Sequence, residues 1–278
     1  MNGQRGKSLF FFLNKKNKNI TVISLNKKLL NSLDVKKKIF FRNINSKSFE
    51  IFAKKNKPNL FILAGYPQIM KENIFRIPSI GTINLHAGEL PFYRGGSPLN
   101  WAIINGEKTF ETSIIEIDKG IDTGKLLAKK RGKILVKDNI ETVHLKANNN
   151  FKEIILEAVN NLISKNYVKK SNKTPTYWYQ RKEKDNHLEF INKNSTQSYN
   201  FIRALTKPYP CAWVTCNNKR LRLVDSKIIC KKTISTPGEV FYRNNKPIVY
   251  CLKGAILLKR YYFEKNKKLQ LKPGDLLR

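Results

Sequence analysis

Between residues 20 and 164 short apolar or β-branched runs alternate with stretches of helical spacing, and few folds accept such a chain. Strands are predicted at 20–24, 38–41, 59–64, 80–85, 112–117 and 125–130. Helices are predicted at 5–17, at 46–55 with Ser46 as N-cap, at 98–105 with Pro98 in the first turn, and at 139–164. The run Asn59-Leu60-Phe61-Ile62-Leu63-Ala64 is continuously apolar, as in a strand buried on both faces. The alternation predicts an α/β fold with a parallel-rich, Rossmann-like sheet. Ligands of such sheets bind beyond the carboxyl ends of the strands. Strand 80–85 delivers Asn84 and His86 to that end.

The pattern changes after residue 164. Residues 165–176 are polar with one proline, as in a linker. A helix is predicted at 196–205. Short strands follow at 212–215, 220–229, 239–242, 248–252 and 255–261, separated by Asn217-Asn218, Pro237-Gly238, Asn244-Asn245 and Gly254. Evenly spaced short strands with such turns predict a small β-barrel. Two domains are therefore expected, 1–190 and 191–278.

Composition excludes several classes. No run of about 18 apolar residues occurs, so no membrane insertion is expected. The apolar patch at residues 9–13 is followed directly by lysines and asparagines, without a small-residue cleavage site, so a cytoplasmic protein is expected. The net charge of +34 invites a nucleic-acid partner. Yet the excess is mostly lysine spread along the whole chain, and lysine, asparagine and isoleucine share A/T-rich codons. A solvated basic surface accounts for it and still attracts anionic substrates. The four cysteines, Cys211, Cys216, Cys230 and Cys251, form no C-x-x-C pair and have no histidine at ligand spacing. They read as reduced core thiols, with no metal site.

The residues with chemical potential lie in Asn84-Leu85-His86 and in a later glycine-bounded segment carrying Asp118 and Asp122. On a strand, Asn84 and His86 are two apart and share a face. Acyl transfer to an amine needs donors for the oxyanion and a group that moves protons. An amide donates without titrating, an imidazole moves protons near neutral pH, and a carboxylate orients the imidazole. Alone, Asn-x-His is a weak signal, since a histidine at a strand end is more often structural.

The wider context is specific. Asn84-Leu85-His86, then Leu90-Pro91-Phe92-Tyr93-Arg94-Gly95, then Asp118-Lys119-Gly120-Ile121-Asp122-Thr123-Gly124, resemble the folate-dependent formyltransferase family in order and spacing. The resemblance is strongest over residues 59–164. Ile202-Arg203-Ala204-Leu205-Thr206-Lys207-Pro208-Tyr209-Pro210 and Pro237-Gly238-Glu239-Val240 resemble the C-terminal β-barrel (OB-like) domain of its two-domain members. The resemblance implies 10-formyltetrahydrofolate as formyl donor and Asn84, His86 and Asp122 as the catalytic triad. It also implies a pterin pocket built largely from backbone at Gly65, Ile69, Met70, Leu90, Pro91, Asp118, Gly120 and Ile121. Tyr93, Arg94 and Gly95 would form a substrate loop. Gly65 and Gly120 could equally be turn glycines, and Ile69 core.

The chain departs from the family in three places. Gly88-Glu89 stands where Ser-Leu is common, Glu111 where glycine is usual, and residues 1–6 do not read as the strand that normally precedes the first helix. A missing or upstream first strand is thus expected. Two acceptors suit the family: a nucleotide-linked amino sugar and the initiator methionyl-tRNA. The tRNA enzymes carry a long basic insertion after their second strand, for which the short connection from Leu25 to Lys38 has no room. Tyr177-Trp178-Tyr179-Gln180-Arg181 and Gly95-Gly96-Ser97-Pro98-Leu99-Asn100-Trp101 are similar to segments of the sugar enzymes, so the amino sugar is favoured. For Trp178 and Tyr179, packing of the linker onto the first domain is favoured over stacking on a substrate. An inactive relative with a binding role, and hydrolysis of the donor without an acceptor, are the remaining readings.

Overall fold

The computed structural model describes residues 3–16, 19–35, 37–231, 235–266 and 268–278. The described chain opens with helix α1 (Gly3–Asn14). Then come β1 (Val22–Ser24), α2 (Lys27–Asn31), β2 (Lys38–Phe40), α3 (Lys47–Asn56), β3 (Leu60–Leu63), α4 (Glu72–Phe75) and β4 (Gly81–His86). They are followed by β5 (Arg94–Gly95), α5 (Pro98–Ile104), β6 (Thr109–Glu116), β7 (Leu126–Lys133), α6 (Ile140–Ser164) and β8 (Tyr177–Trp178). The remainder holds α7 (Ser195–Leu205), β9 (Ala212–Cys216), β10 (Lys219–Cys230), β11 (Val240–Arg243), β12 (Lys246–Tyr250) and β13 (Ala255–Phe263). No helix among the described residues is long and apolar enough to cross a membrane.

The chain packs as two compact units. One comprises Met1–Gly95, Phe110–Gly132 and His144–Tyr177; the other comprises Gly96–Thr109, Lys133–Val143 and Trp178–Arg278.

In the first unit the helices start and stop for local reasons. Ser46 caps α3 by accepting from the Phe49 amide at 3.2 Å, and Lys57 ends it in the left-handed region. Phe49 and Ala53 then pack with Ile44 and Ile74, and Phe41 meets Phe49 edge to face. Phe10 of α1 packs with Val22, Leu30 and Leu33. Along α6, Ala147, Phe151, Ile154, Ala158 and Leu162 are buried at helical spacing. Leu145, expected on that apolar face, is 57% exposed.

The sheet departs from expectation in three ways. It has four strands in the order β3-β4-β6-β7, while β1 and β2 form a separate parallel pair. It is mixed: β3 runs parallel to β4, and β4 antiparallel to β6. Finally, β3 is only partly buried at every position. Among the described residues β3 is the edge of its sheet, and a continuous apolar run did not mean burial on both faces. The segment expected as a linker is also tied down. The amides of Val168, Ser171 and Thr176 donate to the carbonyls of Leu126, Leu90 and Pro91. Those bonds use backbone, so side-chain polarity did not reveal them.

In the second unit, Asn194 and Gln197 form a capping box that starts α7. The β strands form one antiparallel sheet in the order β11-β12-β13-β10-β9, consistent with the barrel-like domain expected, though no barrel closes among the described residues. The chain end bonds to both of its edges. Thr215 of β9 exchanges backbone hydrogen bonds with Arg278. The Val240 amide of β11 donates to the Asp275 carbonyl, and the Leu277 amide to the Gly238 carbonyl. Edge strands are thereby denied to other chains.

Candidate active site

β3 and β4 are parallel and in register from Leu60 opposite Gly81 to Leu63 opposite Asn84. Their carboxyl ends therefore lie together, with the 64–70 loop after one and Asn84 and His86 at the end of the other. β6 runs the opposite way, with Ser113 opposite His86 and Glu116 opposite Ile83. The loop that leaves β6 must fold back to reach the end of β4. Asp122 makes that reversal with φ of 53°, a left-handed conformation uncommon outside glycine but accessible to aspartate. Gly124 allows it, since a Cβ there would sit 1.7 Å from the Glu116 carbonyl oxygen. Asp118 closes the loop by accepting from the Gly120 amide at 3.0 Å and from the Thr123 hydroxyl.

The result brings Asn84, His86 and Asp122 into mutual contact. Asn84 Nδ2 donates to Asp122 Oδ1 at 3.3 Å. His86 Nδ1 lies 3.3 Å from Asp122 Oδ2, which also accepts from the Gly95 amide at 2.9 Å. The other ring nitrogen, Nε2, is 2.5 Å from the Tyr93 carbonyl. A neutral imidazole has one N–H and can donate to only one of these two oxygens. The His86 side chain is 5% exposed and that of Asp122 9%, so little water reaches the pair.

Gly88, marked in the sequence only as a departure from the family pattern, packs closely against this pair. A Cβ on it would lie 2.6 Å from His86 Nε2 and 2.7 Å from the Tyr93 oxygen. The Gly88 carbonyl accepts from the Ser113 hydroxyl at 2.9 Å, which fixes the loop to β6. Glu111 lies one step further out on β6. It is buried, and burial pushes its carboxyl above the usual carboxylate range, with nearby Glu89 acting in the same direction and Lys129 and Arg131 against it.

The other candidate residues fall into groups. Gly65 has positive φ, consistent with a turn, and the loop it begins is held by Gln68 to Arg42 and Ile44 and by Asn45 to the Ile69 carbonyl. Ile69 is 72% exposed and so is not core, whereas Met70 packs against the cluster around Phe49. Leu90 is fully buried with Ile115 and Leu126, and Pro91 follows it through a cis peptide bond. Leu90 can therefore offer a ligand only backbone. Gly120 lies in the Asp118 turn, and Ile121 is 41% exposed. Tyr93 is buried and lends its carbonyl to His86, Gly95 lends its amide to Asp122, and the buried Nε of Arg94 has no hydrogen-bond partner among the described residues. Lys170, which no motif marked, donates to the Thr123 carbonyl at 2.6 Å. Trp178 and Tyr179 pack on Trp101 within the second unit, with centroids 4.9 and 5.0 Å apart.

An α/β sheet that ends in an amide, an imidazole and a carboxylate in contact, followed by a separate antiparallel β unit, defines the class of two-domain group-transfer enzymes. Residues 14–159 match the model for the formyl transferase family, and residues 181–273 match that for the formyl transferase C-terminal domain. The chain belongs to the formyltransferase family. It is 35% identical over 240 residues to the bifunctional polymyxin resistance protein ArnA of Wigglesworthia glossinidia brevipalpis, covering 84% of this chain and 36% of that one. It is 33% identical over 221 residues to the methionyl-tRNA formyltransferase of Clostridium tetani, covering 78% of this chain and 71% of that one. The fold is similar to that of WlaRD, a sugar 3N-formyl transferase (TM-score 0.62, 19% identity, 96% and 94% of the two chains). It is also similar to HypX of Aquifex aeolicus solved with tetrahydrofolic acid (TM-score 0.64, 16% identity, 88% and 44%).

Proposed function

We propose that this protein transfers the formyl group of 10-formyltetrahydrofolate to the primary amine of a nucleotide-linked sugar. The contact of Asn84 and His86 with one carboxylate, Asp122, carries the reading. The acceptor nitrogen attacks the formyl carbon, the bond from that carbon to N10 of the folate breaks, and the ammonium proton is passed to N10. Asn84 uses one amide N–H on Asp122 and keeps the other for the developing oxyanion. Asp122 holds the His86 ring, which stabilises the oxyanion and assists the proton movement. The backbone of the loops at 65–70, 90–91 and 118–121 forms the pterin pocket, and 93–95 forms the substrate loop. Residues 1–190 act as the catalytic domain and 191–278 as its C-terminal companion.

The amino-sugar acceptor rests on the connection between β1 and β2, where residues 25–37 hold only the one-turn helix α2 among those described. A methionyl-tRNA acceptor is the alternative, favoured by the names of several relatives and by the net charge of +34. Purified protein supplied with 10-formyltetrahydrofolate is offered amino-sugar nucleotides in one reaction and methionyl-tRNA in another. Formylated sugar is the expected product. Formylation of the tRNA alone would overturn the acceptor, and absence of both turnover and folate binding would overturn the activity.

A further inference from the structure

The Ser113 hydroxyl stands between two acceptors. It donates to the Gly88 carbonyl at 2.9 Å and lies 3.5 Å from Oε1 of Glu111. A hydroxyl has one hydrogen and cannot donate to both. Gly88 and Glu111 are also two of the places where the sequence leaves the family pattern, and Ser113 joins them.

The chain ends at His86. Ser113 is the register partner of His86 across β4 and β6. Gly88 lies against the ring: a Cβ on it would meet both Nε2 and the Tyr93 carbonyl that Nε2 faces at 2.5 Å. A shift of the Gly88 turn is therefore felt at the ring nitrogen that is not turned to Asp122.

Glu111 is 6% exposed, and its neighbours Thr112 and Ser113 are fully buried. Burial favours its neutral form, and Glu89 in the loop after β4 acts in the same direction; Lys129 and Arg131 of β7 favour the charged form. Glu89 is itself bonded by Lys173 at 2.9 Å and lies 4.0 Å from Arg131. Neutral Glu111 has an O–H to give to Ser113 Oγ, and Ser113 then gives its own to Gly88. Ionised Glu111 has none, and as a charged acceptor it competes for the Ser113 hydrogen at the expense of the Gly88 carbonyl. The 2.9 Å bond to Gly88 matches the first arrangement.

We propose that Glu111 is a positioning residue: through the Ser113 hydroxyl it fixes the Gly88 turn against the His86 ring. The inference rests on the catalytic role of His86 proposed above. It makes the rate of formyl transfer depend on a carboxyl outside the triad.

The test compares the parent with Glu111→Gln, Glu111→Ala, Ser113→Ala and the Glu111→Ala/Ser113→Ala double variant. The acceptor is whichever of an amino-sugar nucleotide and methionyl-tRNA the parent formylates. Glutamine keeps a donor toward Ser113 at every pH. Its kcat should equal the parent's at about pH 5 and exceed it increasingly as pH rises and Glu111 ionises. The ratio of the two cancels every titration that both proteins share. At about pH 5, Glu111→Ala and Ser113→Ala should each lower kcat about fivefold with KM little changed, and the double variant no further, because both act through one bond. Glu111→Gln preserves shape, so the ratio stands even where an alanine variant unfolds. In protein isotopically labelled at histidine nitrogens, the His86 ring signals should move in Ser113→Ala and stay in place in Glu111→Gln. A ratio constant from about pH 5 to about pH 9, additive losses in the double variant, or His86 signals unmoved in Ser113→Ala would each overturn the proposal. If His86→Ala keeps the parent rate while the His86 signals still move in Ser113→Ala, the catalytic reading of His86 fails and the positioning contact stands.

Discussion

At the scale of single residues, close approach explains more than side-chain chemistry alone. Asn84, His86 and Asp122 were legible because a strand period of two and a recognisable pattern both pointed to them. Gly88 was legible only as a departure from the family pattern, because its close approach to His86 arises only when the Tyr93 carbonyl folds onto that ring. Gly88→Ala should therefore displace the ring, lower kcat by about tenfold or more and also lower the unfolding midpoint, because the Tyr93 backbone must move as well; steady-state rates beside thermal melts would check this. A second residue-scale effect concerns His144. Burial, with nearby Arg5 adding repulsion, pushes its imidazole down to about 4. Between pH 6.5 and about 4 the unfolded chain takes up a proton that the folded chain refuses, so stability falls as pH falls through that window. The loss is at most about 3 kcal/mol, and smaller because the side chain keeps partial solvent access. His144→Leu should flatten the dependence of chemical-denaturation stability on pH across that window. An unchanged slope would contradict the assignment.

Among secondary-structure elements, the helices were the readable part. Ser46 as a cap, Pro98 in a first turn and the buried periodicity of α6 are local signals, and local bonds honour them. What failed was long-range. The apolar run at β3 says nothing about which strand will lie beside it, and β3 became an edge. The polar stretch after α6 is bound through its amides, which carry no signature in the side chains. The β sheet of the second unit was legible as short strands, but not the way the chain end bonds to both of its edges. Deleting residues 275–278 removes those bonds, each worth about 1 kcal/mol net. It also uncovers two strands able to pair with other chains. The truncated protein should melt several degrees lower and self-associate, as seen by calorimetry and light scattering; a melting point and monodispersity equal to the parent's would refute the bridging role.

Across the whole molecule, membership of the formyltransferase family was legible because its motif spans three loops at fixed spacing and a second region of the chain fits as well. The central claim is that Asn84, His86 and Asp122 perform formyl transfer together. It is tested most directly by single-turnover formation of tetrahydrofolate from 10-formyltetrahydrofolate, with acceptor present, in Asn84→Ala, His86→Ala and Asp122→Asn. The account predicts losses of about a hundredfold or more in the chemical step for each, with the fold retained. A His86→Ala protein that turns over at the parent rate would contradict it.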